Sequence, residues 1–166
     1  MILDGGATTI GVESTVLDMT SDPPVILRPG WVTREQLMDT IGRVDVVATA
    51  EEVKRLPGTR HRHYSPRARV VLVENTSSES VEQLCKDLLQ EESVGFIGHS
   101  RVAIDNPKLT AIVLENTADE YARSIYSALR ELDERGVNVI VVEGISEEGE
   151  GEAVMDRLRK AASEAE

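Results

Sequence analysis

The stretch "VNVIVVEGISEEGEGEAVMDRLRKAASEA", Val137 to Ala165, decides the fold class. It opens on a run, Val137 to Val142, that is apolar but for Asn138 and mostly β-branched, too short for a helix. Such a run reads as a strand covered on both faces, because a half-exposed strand would alternate polar and apolar residues. A glycine- and glutamate-rich turn follows. From Gly151 onward the residues read as an amphipathic helix. A strand buried on both sides that feeds directly into a helix belongs to a helix-covered, mainly parallel sheet.

Upstream, the same grammar repeats. "VVLVE", Val70 to Glu74, is an apolar strand. Ser80 with Gln83 predicts a capped helix start, and Val81, Leu84, Cys85, Leu88 and Leu89 form its apolar stripe at i, i+3, i+4, i+7 and i+8. "VGFIGH" and "LTAIVLE" are two further strands. Thr117 with Glu120 predicts a capping box, opening a helix that buries Tyr121, Ile125, Leu129 and Leu132 and stops at Gly136. Residues 70–166 therefore read as a small Rossmann-like, three-layer α/β domain with a mainly parallel sheet, able to fold alone.

Before it lies "KRLPGTRHRHYSPRAR", Lys54 to Arg69. Pro57-Gly58 and Ser65-Pro66 punctuate it and no helical period runs through it, so it reads as an extended interdomain linker. Residues 1–53 carry strand signals at "GVESTVLDM" and "VILRPG" and one short helix opened by Thr33 and Gln36. Their apolar mass is small, so they read as the end of a domain. Strands without their neighbours expose edges, and three outcomes are expected for them: poor order, packing on residues 70–166, or homodimerisation.

Bulk composition narrows the function classes. Lys and Arg number 18 against 30 Asp and Glu, a net charge of −12. General binding to nucleic acid or an acidic membrane is disfavoured by that charge. Aromatic residues make up 3%, so the core is built from Val, Ile, Leu and Ala. The single cysteine, Cys85, excludes an internal disulfide and a cysteine zinc cage, and suits a reducing, cytoplasmic compartment. No apolar run is long enough to span a bilayer, and no secretory pattern opens the chain.

Several motifs carry possible chemistry. "GEGEAV", Gly149 to Val154, holds two glycines of the dinucleotide fingerprint, but Val154 stands in the third position and Glu147, Glu148, Glu150 and Glu152 would repel a pyrophosphate. A loop entering a helix is the better reading. His61 and His63 offer two nitrogens, too few for zinc without further ligands, and the neighbouring Arg60 and Arg62 disfavour a cation. Cys85 sits on an apolar stripe, where a thiol acts as a small hydrophobe. Ser14 and Ser100 lack a nucleophile elbow. In "ESTV", Ser14 and Thr15 present hydroxyls beside Glu13. In "LRPG", Arg28 presents a planar, permanently charged fork suited to phosphate or carboxylate. An Arg28–Glu13 ion pair accounts for Arg28 equally well. The basic loop has three readings: a phosphate-and-ring contact using its arginines and Tyr64, an RNA contact, and a linker lying on the acidic remainder.

Taken in order, "ILDGG…GVESTVLD…ILRPGWVT", "PGTRHRHYSPRARVVLV" and the closing "GEGEAVMDRLRKAA" resemble the Sua5 branch of the Sua5/YrdC/YciO family over essentially the whole chain. "HYSP" departs mildly from the family's His-Tyr-Ala-Pro, and the loop before the last helix is more acidic. The resemblance implies an enzyme family, the threonylcarbamoyl-AMP synthases. These nucleotidyltransferases make L-threonylcarbamoyladenylate from L-threonine, bicarbonate and ATP, with Mg2+ accompanying the ATP, for the t6A modification of tRNA. It implies that 1–53 is the end of a YrdC-like α/β catalytic domain, 54–69 a linker, and 70–166 the Sua5 C-terminal domain. It further implies that Ser14 contacts threonine and that Arg28 and Tyr64 contact ATP. The family's N-terminal Lys/Arg motif has no counterpart here. The chain is therefore expected to be inactive alone, contributing a lid and accessory domain. The alternative is a non-catalytic module that docks a partner protein or tRNA.

Overall fold

A computed structural model describes residues 3, 6, 10–46 and 66–163. Four parallel strands form its larger sheet: β4 (Arg69–Val73), β5 (Val94–Gly98), β6 (Leu109–Val113) and β7 (Val139–Glu143), in the spatial order β4-β7-β5-β6. β5 and β7 are central and buried throughout, as their unbroken apolar runs require.

Alternate residues of the central strands face opposite layers. On one side α2 (Ser78–Leu88) sets Val81, Cys85 and Leu89 against Val94, Phe96, Val139 and Val141. On the other, α3 (Ala118–Glu134) and α4 (Gly151–Ser163) set Tyr121, Ile125, Leu132, Val154, Met155 and Leu158 against Val70, Ile97, Ile140 and Val142. Helices thus cover both faces, and the three-layer α/β reading of the sequence holds. Burial pushes the Cys85 thiol up to about 11, so it is a packing group and no nucleophile.

Two helix starts differ from expectation. The N-cap of α2 is Ser77, not Ser80: its carbonyl accepts from Ser80 N and Val81 N, and its hydroxyl accepts from Ser80 N. The serines at 77, 78 and 80 offer alternative caps, and the earliest extends the helix by most of a turn. Gln83 is left to bond Asp87. At α3, Thr117 caps through Glu120 N, but the Glu120 carboxylate accepts from Ser124 instead of returning to the cap. The C-terminus of α3 closes as the glycine stop predicts. Gly136 adopts φ +74°, its N–H reaches Asp133 O, and Val137 N reaches Leu132 O.

A smaller sheet precedes this unit. β1 (Val16–Asp18) pairs antiparallel with β2 (Val25–Arg28), and β2 pairs parallel with β3 (Asp45–Val46). α1 (Arg34–Ile41) carries the full capping box of Thr33 and Gln36 and ends at Gly42, φ +84°. The strand in "GVESTVLDM" is shorter than its composition suggests, because residues 11–15 serve another contact. Val12 is buried in the main core beside Tyr121 and Ala122, and Trp31 packs against that same core. A Cβ on Gly11 would fall 1.8 Å from Ala122 O, so only glycine fits the approach to α3. Of the three outcomes expected for these strands, packing on the C-terminal unit is the one observed.

Candidate functional site

The antiparallel register places Val16 opposite Arg28. It thereby brings the "ESTV" and "LRPG" motifs, distant in sequence, to one end of the small sheet. Arg28 Nη2 donates to Ser14 O at 2.9 Å. Trp31 N donates to Glu13 O at 3.3 Å, and Thr15 Oγ1 donates to Val32 O at 2.5 Å. Ser14 itself is exposed. Arg28 Nε is buried with no hydrogen-bond partner among the described residues. The exposed Ser14 and the Arg28 guanidinium therefore share one end of the small sheet, a hydroxyl and a fixed cation of the types that suit an anionic, hydrogen-bonding ligand.

The Arg28–Glu13 ion pair, the competing account of Arg28, is not what forms. Glu13 pairs with Arg157 of α4, Nε to Oε2 at 2.8 Å, and Arg157 Nη2 also reaches Pro29 O at 3.1 Å. Asp156 holds the remaining nitrogen. Burial raises the Glu13 carboxyl, but the Arg157 hydrogen bond and charge, helped by Arg28, outweigh it and hold the group below its usual 4.5. The folded state therefore takes up this proton less readily than the unfolded state. Stability from the pair is complete above about pH 4.5 and is lost as pH falls through the lower folded value. Thermal melts of Glu13→Gln against the unsubstituted chain should differ at neutral pH and converge as pH falls below the lowered Glu13 value; an equal gap at every pH would refute the pair.

Tyr64, His61 and His63 lie outside the described residues, as do the linker cations before Arg67. The last two arginines of the basic stretch are described, and both lie on acids of the C-terminal unit. Arg67 pairs with Asp133 at 3.1 Å and Arg69 with Glu92 at 3.0 Å. The "GEGEAV" glycines shape a turn. Gly149 adopts φ +59°, and a Cβ on Gly151 would fall 1.9 Å from Ser146 O. Glu35, Glu147, Glu148, Glu150 and Glu152 line the recess there, and burial raises the Glu152 carboxyl, with Glu35 and Glu147 adding to the rise. A pyrophosphate has no place in it.

A cluster missed in the sequence sits at the carboxyl ends of the large sheet. β4 leads to α2 on one face and β7 to α4 on the other, which opens a crevice between their ends. A cavity of about 400 Å³ there is lined by Glu74, Asn75, Thr76, His99, Asn116 and Glu143 among others. Buried Glu143 accepts from His99 N at 2.9 Å, Ser100 N at 2.8 Å and Ser100 Oγ at 2.6 Å. His99 Nδ1 lies 3.2 Å from the Tyr121 hydroxyl, whose proton burial holds in place. The signal was available: an acid closes an otherwise apolar strand. The group's hydrogen bonds are internally satisfied, so it is a structural knot at the cavity wall.

Comparison with known proteins places this architecture. The family profile described as Threonylcarbamoyl-AMP synthase, C-terminal domain, matches residues 32–163. The Pyrococcus abyssi threonylcarbamoyl-AMP synthase is 41% identical over 97% of this chain and 48% of its own length. The Bacillus subtilis protein of the same name is 36% identical, with coverages of 97% and 48%. The crystal structure of P. abyssi Sua5 with L-threonine superposes with a TM-score of 0.80 at 40% identity, covering 98% of this chain and 49% of that one. The chain spans about half the length of the curated relatives it matches. On the profile match and these identities together, the chain belongs to the threonylcarbamoyl-AMP synthase (Sua5) family and carries its C-terminal domain.

Proposed function

We propose that this chain supplies the C-terminal part of a threonylcarbamoyl-AMP synthase, joining L-threonine, bicarbonate and ATP into threonylcarbamoyl-AMP with release of pyrophosphate and water, for the t6A modification of tRNA. The observation that carries the reading is the meeting of Ser14 and Arg28 at one sheet end. In the proposed complex the Ser14 hydroxyl bonds the threonine substrate. Arg28, and Tyr64 from the linker, bond the ATP, whose phosphates suit a guanidinium fork. A P. abyssi relative was solved with L-threonine, which supports the amino-acid half of the assignment. Mg2+ would accompany the ATP phosphates, whose charge it would neutralise. A buried free thiol at Cys85 suits a reducing, cytoplasmic setting.

Pyrophosphate release dependent on all three substrates tests the reading. The purified 166-residue chain is expected to be inactive, and addition of the N-terminal part carried by its relatives to restore turnover. Arg28→Ala should then lower activity roughly 10- to 100-fold, the size of one lost hydrogen bond to a charged group, and Tyr64→Phe should lower it less. Turnover by the chain alone would overturn the division of labour. Salt-sensitive RNA binding in place of any activity would favour the tRNA-docking alternative.

A further inference from the structure

We propose that Arg157, on α4, is a positioning residue for the ligand site at Ser14 and Arg28, clamping together the two loops that carry them. This rests on the functional reading above only for what the site binds; the clamp itself stands on geometry. Arg157 is buried to about nine-tenths of its side chain. Its fork grips the Glu13 carboxylate, one residue before Ser14, and the Pro29 carbonyl, one residue after Arg28. Asp156 holds the third nitrogen, which fixes the plane of the guanidinium. Both grips come from a helix whose apolar face is sunk in the large-sheet core through Val154, Met155 and Leu158. The loops therefore take their relative position from the C-terminal domain, and not from the three-residue β1 alone. This gives that domain a direct mechanical role in the substrate site of a separate sheet.

The chemistry requires arginine. A lysine supplies charge for Glu13 but has no planar fork with which to reach a carboxylate and a carbonyl in two directions. Arg159, two residues on, is a natural control: its hydrogen bonds go to Glu74 and Glu147 and to neither loop.

The chain's single tryptophan, Trp31, reads the clamp without any activity, because its N–H donates to Glu13 O and its ring packs on the core. In the 166-residue chain, Arg157→Ala and Arg157→Lys should both speed hydrogen exchange at the Trp31 amide about tenfold or more, with exchange in β5 and β7 unchanged. Arg157→Ala should also shift Trp31 emission to the red, and Arg159→Ala should do neither. Trp31 exchange and emission unchanged in Arg157→Ala, or changed equally in Arg159→Ala, would overturn the clamp. In the chain completed with its N-terminal part, Arg157→Lys should raise KM for L-threonine and ATP about tenfold while kcat falls less. Unaltered KM in a variant with loosened loops would overturn the positioning role. No synthesis by the unsubstituted, completed protein would count against the functional reading, and the exchange experiment would still decide the clamp.

Discussion

Glu143→Ala is expected to lower stability by about 3 kcal/mol and the melting temperature by roughly 6–12 °C, at about 2–4 °C per kcal/mol for a chain of this size. Glu143 ends β7 with only 5% of its surface exposed, yet its two oxygens accept from His99 N, Ser100 N and Ser100 Oγ. Those donors belong to the turn leaving β5, the neighbouring strand. Alanine would strand the backbone N–H groups of His99 and Ser100, and that is the costly form of hydrogen-bond loss. Water entering from the adjacent cavity limits the penalty. Glu143→Gln separates hydrogen bonding from charge. Its amide oxygen can take the Oε2 position and keep both backbone bonds, while its NH2 donates to Ser100 Oγ. It should therefore cost about 1 kcal/mol. Thermal melts followed by circular dichroism distinguish the two variants. Equal losses for both would mean that the charge, and not the accepting geometry, holds the turn.

The difference between Glu143 and Glu13 shows what the sequence makes legible. The C-terminal unit was readable because each element carries its own local period: β5 and β7 are apolar throughout, and α3 repeats its apolar residues every three to four positions. The helix starts slipped: at α2 neighbouring serines are interchangeable on paper and the extra turn decides between them, and at α3 Glu120 takes Ser124 in place of the cap. Ser14 and Arg28 were readable as chemical types, a hydroxyl beside an acid and a fork before a turn. Their contact depends on strand register, which no local pattern states. Arg157 was out of reach altogether, since it lies 144 residues from Glu13 and looks like any charged residue on an amphipathic helix. Its grip also displaced the Arg28–Glu13 pair that local reasoning had allowed. Helices and buried strands are written locally; a clamp between two sheets is a long-range fact.

Gly30→Ala is expected to break the same site from the inside. The dipeptide Pro29-Gly30 reads as a turn signal, yet Gly30 does not adopt positive φ, unlike Gly42 or Gly136. What it supplies is absence of a side chain. A Cβ there would lie 2.2 Å from Thr15 N, 2.4 Å from Ser14 C and 2.5 Å from Glu13 O, all backbone atoms that cannot swing aside. The added methyl must therefore push the 13–15 loop off the 28–30 loop. That movement stretches Trp31 N from Glu13 O and Arg28 from Ser14 O. Overpacking of this kind costs about 1–3 kcal/mol. The stability loss is thus comparable to that of Glu143→Ala, but its consequences fall at the ligand site instead of the large sheet. In the completed protein Gly30→Ala should raise KM for L-threonine and ATP more than Arg157→Lys does, because it removes the contact that the arginine only steadies. Gly42→Ala provides the comparison: its Cβ would meet open space, and its cost, set by φ +84° alone, should leave both KM values unchanged. Normal substrate binding by Gly30→Ala would mean that Ser14 and Arg28 need not touch for the site to work, and would remove the geometric basis for assigning them to one site.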